Sequence, residues 1–351
     1  MAFGALMFFC YLKRKGYWIA PLALLGGFLI PGYLPLLGIV LMLFPRGEPP
    51  LVRLPRVGWV MGIALGSVIA WAALKMYRDG VVISGVKAEQ VHAELLPLSV
   101  VALGLQMVVL LGPLFSFWPS PKGAWESLRL RYVPVAIAIP WLIAYAIDRF
   151  GSEVIDVTAK AHGQVSLLLG IHKPLASLVA HVSFFGPSFV LLFMLAGAFG
   201  RSVWRLGMGM ALATGAFFLS FIDSESRHLM ISMPLFAAGL AMAFDRVSSG
   251  GAKARKRWIF VLAFACLGIL SSTVFMPIEK PPLSGLKVVK GYGTSGWQRL
   301  FMHVGPWMSM HSFAIMAAFA ALSALLLWAL GRRWLRFWGP LDFDPNADPQ
   351  G

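Results

Sequence analysis

The densest run of side chains able to do chemistry is Asp223, Ser224, Glu225, Ser226, Arg227 and His228, six consecutive residues between two apolar stretches. An arginine and a histidine held where a helix leaves an apolar medium suit a phosphate or pyrophosphate group, since multidentate cationic donors bind it best where the dielectric is low. The acids of the same run offer a competing reading, in which Arg227 pairs with Asp223 or Glu225 as an interfacial anchor. Pro234, seven residues beyond Arg227, is expected to free a backbone carbonyl and kink the helix that the pair opens. Two carboxylates are placed to serve as a catalytic base: Glu94, just before Pro97, and Asp148, beyond Pro140 and Trp141. The histidines are scattered and none shows the His-x-x-x-His spacing of a metal ligand pair, so no metal centre is expected. No glycine-rich phosphate loop or nucleotide motif is present, and no cofactor is expected.

A membrane must position these groups. Of 351 residues 58% are hydrophobic and 13% charged, with a mean hydropathy of +0.76, whereas a soluble domain carries about a quarter charged residues. Apolar segments lie at roughly 1–12, 17–44, 57–77, 96–118, 132–147, 174–200, 203–222, 229–244, 258–276 and 311–331. Most are long enough to cross a hydrocarbon core of about 30 Å. The expected fold is therefore all-α: a polytopic integral membrane helix bundle of about ten segments, one transmembrane domain over 1–331 with a short cytoplasmic tail at 332–351. Residues 1–12 make about 18 Å of helix, too short to span. They predict either a continuation upstream or a half-buried interfacial helix. Cys10 and Cys266 fall inside apolar stretches and read as buried small hydrophobes, with no disulfide framework.

Charge sets the topology. If 17–44 folds as a hairpin near residues 30–35, the basic clusters 13–15, 46–56, 122–131, 201–205, 246–257 and 332–336 all reach one side. That side holds 19 of the 30 basic and 6 of the 15 acidic residues, net +13, leaving 11 and 9, net +2, on the other. The positive side is cytoplasmic by the positive-inside rule. The basic residues are thus topogenic, with anionic lipid a secondary ligand for 253–257, and no nucleic acid partner is expected. Arg227, Glu94, Asp148 and six of the histidines then fall at or beyond the outer helix ends, with His181 inside a segment. Trp118, Trp141, Trp297 and Trp307 read as interface anchors at helix ends and in outer loops.

Arg227-His228 followed by Pro234 resembles the Arg-Tyr or Arg-His, then Pro, signature of the C-type (GT-C) membrane glycosyltransferases, among them the protein O-mannosyltransferases and bacterial aminoarabinose transferases. Pro140-Trp141 at an outer helix end, and Phe184-Phe-Gly-Pro187 followed by Gly197, Gly200 and the basic turn 201–205, fit the same pattern. The stretch from Tyr11 to Trp18, with Gly26-Gly27 and Pro31-Gly-Tyr33, resembles the basic turn and broken helix midway through these enzymes. The resemblance covers most of residues 1–245. It implies a GT-C-like fold in a bacterial inner membrane, a polyprenyl-phosphate sugar as donor, a glycan, lipid or protein acceptor, and inverting transfer on the extracytoplasmic face. Arg227, with His228, would lie beside the lipid phosphate and stabilise the leaving group. The family's base is an Asp in the first outer loop, and no acid precedes Lys13 here. That implies either a missing upstream segment or a degenerate member, with Glu94 and Asp148 as substitutes. Two other readings stay open: an O-antigen ligase or polymerase, on Ser226-Arg227, Gly291-x-Gly293, Arg299 and His311, and a non-enzymatic transporter or scaffold, with Gln106 and His181 as the polar residues inside helices.

Overall fold

The computed structural model describes residues 2–29, 33–47, 51–79, 93–150, 167–168, 170–171, 173–222, 226–249, 254–278 and 310–334. Helix accounts for 88% of the described residues. The expected sites at His92, His162, His172, His303, Trp297, Trp307, Arg299 and the glycines of 291–296 lie outside the described residues, as do Asp223 and Glu225.

Three apolar helices open the chain. Helix α1 (Ala2–Leu12) stops because Arg14 adopts left-handed backbone, φ 56°. The Lys15 N–H then reaches the Cys10 carbonyl at 2.8 Å and the Arg14 N–H the Tyr11 carbonyl at 3.0 Å, the two bonds of a Schellman cap. Arg46 Nη1 satisfies a further terminal carbonyl, that of Leu12, at 2.9 Å. Helices α2 (Gly16–Leu29) and α3 (Tyr33–Leu43) run antiparallel, with Gly26 against Leu34, Gly27 against Pro35 and Gly38 against Ala23. The stretch 17–44 is thus the hairpin that the charge pattern requires. Helix α1 packs against both.

A glycine seam joins α4 (Pro55–Arg78) to α5 (Leu96–Phe115). Gly58, Gly62 and Gly66 recur every four residues on one face of α4. A Cβ on Gly58 would stand 2.5 Å from the Gly112 carbonyl oxygen, one on Gly62 3.0 Å from the Gly112 Cα, and one on Gly66 2.7 Å from the Gly104 oxygen. Backbones meet directly there, the way small residues let helices approach where no hydrophobic effect drives them together. Below the seam, β1 (Leu51–Arg53) pairs antiparallel with β2 (Phe117–Pro119), Arg53 opposite Phe117. The pair clips the chain entering α4 to the chain leaving α5.

Short α6 (Pro121–Ser127) is capped by Ser120, whose Oγ accepts the Gly123 N–H at 3.1 Å. Helix α7 (Val133–Phe150) then continues through Pro140 and packs on α2 and α3. Trp141 therefore sits mid-helix, stacked on Tyr145 at 6.5 Å, and not at a helix end as expected. The stretch 174–200 is not one continuous helix. Helix α8 (Ala176–Phe185) ends at Gly186, φ 67°, and α9 (Ser188–Met194) meets α10 (Ala196–Leu206) at 91°. Arg201 and Arg205, expected in a turn, lie on α10. Helices α11 (Met208–Ser220), α12 (Met233–Ser249), α13 (Ala254–Ile278) and α14 (Met310–Trp334) complete the bundle.

Among the described residues, Pro55–Arg78, Leu96–Phe115, Leu130–Phe150 and Phe313–Arg332 are long and apolar enough to cross a membrane, and the bent α9–α10 pair would make a fifth. The remaining apolar helices are shorter. Only 22% of the α4 span and 17% of the α7 span is buried inside the bundle. Their outward faces, with Trp59, Val60, Ile63 and Trp71 on α4 and Ile137 and Trp141 on α7, are exposed and apolar, as an integral membrane protein requires of a lipid-facing surface. Both cysteines are free; Cys266 is exposed on α13 and not buried as expected.

Contacts gather the stretches around 13–16, 43–47, 129–132 and 204–207 at one end. The Arg129 N–H donates to the Leu43 carbonyl at 2.8 Å, Gly16 lies under the Tyr132 hydroxyl, and Gly207 lies against Gly47 and Tyr11. Tyr11 Oη donates to the Leu206 carbonyl at 3.1 Å, and Trp204 Nε1 to that of Leu114 at 2.8 Å. Trp118 closes the same end, stacked on Phe115 and tilted against Trp204. At the opposite end Gly4 meets the Ile231 carbonyl and Gly170 meets Ile222. The turn Ser226–Ile231 thus lies at the end of the bundle away from these contacts.

Candidate functional site

Arg227 and His228 lie in a 3-10 helix, Ser226–Ile231. Packing fixes this turn. Leu229 and Ile231 are buried, and a Cβ on Gly4 would stand 2.5 Å from the Ile231 oxygen, so α1 lies directly against it. Helices α8, α11 and α12 pack around the remaining sides. Ser232 joins the turn to α12: its Oγ donates to the Leu229 carbonyl at 2.8 Å, while its own carbonyl accepts the N–H groups of Leu235 and Phe236, both at 3.0 Å. Pro234 is thus the second residue of α12, where a missing N–H leaves no bond unmade. The expected kink gives way to a fresh helix start. The side chains of Arg227 and His228 lie outside the described residues.

Behind this turn is a set of buried polar groups. Gln106 on α5 and Ser177 on α8 exchange hydrogen bonds, Nε2 to Oγ at 2.9 Å and Oγ to Oε1 at 3.1 Å, with both residues almost fully buried. One turn along α8, His181 is 0% exposed. Its Nε2 lies 3.3 Å from the Phe221 carbonyl, at the root of the 223–228 loop, and its ring packs between Phe189 at 5.1 Å and Phe221 at 4.5 Å. Lys173, only 2% exposed, leads into α8 with its ammonium 5.6 Å from the centre of the Phe313 ring on α14. Sequence reading picked out Gln106 and His181 as polar residues within apolar runs. It missed Lys173 because a lysine at a segment boundary looks like an ordinary loop charge.

An apolar cavity of about 290 Å³ opens beside the same turn, between α9, α12 and α13. Met233, Phe236, Ala237, Leu240 and Phe244 of α12 form one wall, and Phe260 and Phe264 of α13 face them across it. Ser188 at the start of α9 contributes a hydroxyl to the lining, but Oγ already donates to the Phe185 carbonyl at 3.2 Å. From Met233 to Phe244 the wall extends about 16 Å at 1.5 Å per residue. Space of this size, at the small end of ligand pockets and without free polar donors, suits a hydrocarbon chain better than water.

The two expected carboxylates do not join this site. Asp148 is exposed in the last turn of α7, a helix packed on α2 and α3, and Glu94 is exposed in a 3-10 turn, Ala93–Leu95, that leads into α5. Neither α7 nor that turn is among the elements packed closely on Ser226–Ile231. Compared with family models, curated proteins and solved structures, the chain matches none.

Proposed function

We propose that the chain is a membrane glycosyltransferase of the GT-C type, moving a sugar from a polyprenyl-phosphate donor to a glycan, lipid or protein acceptor on the extracytoplasmic face. The observation that carries the reading is the junction at Ser232, where the turn bearing Arg227 and His228 runs straight into the helix whose Met233, Phe236 and Leu240 line the apolar cavity. A donor fits that junction in two parts. Its phosphate meets Arg227 and His228, and its first prenyl units lie along the cavity wall. In transfer the bond from the anomeric carbon to the phosphate oxygen breaks as the acceptor oxygen bonds from the opposite face. Arg227 then stabilises the charge that collects on the departing phosphate. A carboxylate takes the acceptor proton; Asp148 and Glu94, on elements not packed closely on the turn, would have to be brought to the acceptor to act in that role. A conduction path has less support, because Gln106 and His181 direct their hydrogen bonds to Ser177 and to the Phe221 carbonyl.

The test is transfer of a radiolabelled sugar from undecaprenyl phosphate by the full chain in lipid nanodiscs. Arg227→Ala is expected to lower turnover by about a hundredfold or more, the scale of losing one stabilising donor, with Arg227→Lys partly restoring it. Ala237→Trp, which fills the cavity, should raise KM for the prenyl donor while leaving turnover at saturation unchanged. Wild-type rates in Arg227→Ala, or no transfer from any prenyl-phosphate sugar by the unmodified chain, would overturn the reading.

A further inference from the structure

The cavity beside the Ser226–Ile231 turn has a closed end and an open side. Two of its walls are α12, which starts at the turn, and α13, which follows α12 in the chain. Phe244 is the lining residue of α12 farthest from the turn, and Phe260 is the lining residue of α13 nearest its start. Both therefore sit towards the end where α12 gives way to α13. Their rings stack across the gap, with centroids 5.2 Å apart and planes at 27°, and Phe260 is almost fully buried. Beyond the stack Arg257 donates to the Ser248 carbonyl through Nε at 3.0 Å and Nη2 at 2.6 Å, which ties α13 to α12. The aromatic pair is the floor of the cavity.

The side is different. Ala237, Ala241 and Val261 line the same cavity and are exposed, Val261 by 40%. Exposed apolar surface continues along α13 through Trp258 and Leu262. A hydrocarbon chain can leave the cavity on this side without meeting water, since lipid tails are as apolar as the wall it leaves. We infer that Phe244 and Phe260 set how much of a prenyl chain the protein reads. The segment read runs from the turn to the floor, about 16 Å at 1.5 Å per residue of α12, close to the length of an extended farnesyl group. A longer chain turns out between Ala241 and Val261 and continues in the bilayer. The inference rests on the reading that a prenyl phosphate occupies this cavity, and adds to it the residues that govern chain-length selectivity. Affinity then rises with chain length only until the floor is reached. Units beyond it lie in lipid whether the molecule is bound or free, so they contribute nothing.

Binding of sugar-free geranyl, farnesyl, geranylgeranyl and undecaprenyl phosphates to the full chain in lipid nanodiscs tests this, with affinities compared at equal mole fraction in the bilayer. Geranyl phosphate is expected to bind weakly and the other three equally. Phe244→Ala opens the floor, and geranylgeranyl phosphate should then bind more tightly than farnesyl phosphate. Ala241→Phe narrows the side opening and leaves the floor intact. It should weaken undecaprenyl phosphate about tenfold, the scale of an overpacked contact, with farnesyl phosphate unchanged. If Phe244→Ala does not fold, the Ala241→Phe comparison decides. Affinity that keeps rising to undecaprenyl phosphate in the wild type, or the same profile in wild type and Ala241→Phe, would sink the inference and leave the donor reading standing. The expected profile without any sugar transfer would keep the inference and remove the transferase reading. Failure of all four phosphates to bind would end both.

Discussion

Gln106 and Ser177 are bonded to each other where neither can reach water, which makes their contributions unequal to remove. Truncating one leaves the other buried and unsatisfied, at a cost of about 1–3 kcal/mol, whereas replacing both with apolar groups can be nearly neutral. Gln106→Leu should therefore lower Tm in detergent clearly, and Gln106→Leu with Ser177→Ala should recover most of the loss. A role for Gln106 in conduction would instead leave function lost in the double variant while stability returned. Such residues were legible in part. Gln106 and His181 stand out as polar letters in apolar runs, but nothing in the sequence named Ser177 or the Phe221 carbonyl as their partners. Those pairings join positions 71 and 40 residues apart, distances that only packing sets. Arg227 was legible by type, while its 3-10 setting depends on Gly4 and Leu229 packing beneath it.

Helices α4 and α5 are held together by close backbone approach more than by interlocking side chains. Gly62→Leu would place a branched side chain where a Cβ already stands 3.0 Å from Gly112. Overpacking of that kind costs about 1–3 kcal/mol or more. The expected outcome is a lower Tm and poorer recovery in detergent, while Gly197→Ala, whose Cβ would meet nothing within 4 Å, should be tolerated. At this scale the lengths of α4, α5 and α14 follow directly from apolar run length. The division of 174–200 follows only halfway: Gly186-Pro187 announces a break, since glycine supplies the positive φ and proline cannot continue a hydrogen-bonded ladder. The 91° turn at Leu195 carries no such signal. Pro234 was misjudged because a proline in an apolar run suits a kink and a helix start equally well, and only the Ser232 hydrogen bonds decide between them.

The described residues have one end where the stretches around 13–16, 43–47, 129–132 and 204–207 meet, an opposite end carrying the candidate site, and exposed apolar flanks compatible with a hydrocarbon solvent. Trp141, 72% exposed in the middle of α7, faces that solvent. Trp141→Arg should raise the cost of inserting α7 by about 2.5–3.5 kcal/mol, read as a fall in the membrane-inserted fraction in a glycosylation-mapping assay. Trp141→Leu should insert normally. That the stretches around 13–16, 43–47, 129–132 and 204–207 share an end was legible from charge, because alternation of the basic clusters is a property of chain order. What brings α9, α12 and α13 around one cavity was not, since nothing local encodes which helices become neighbours. The glycine seam also bears on how the protein is made. Helices α4 and α5 are each long and apolar enough to leave the translocon unaided, and their contact surface is complete once both have emerged. They can therefore enter the bilayer as a finished hairpin during synthesis. Helix α11, too short to span alone, packs on α5, so its final depth waits until the pair is in place to receive it.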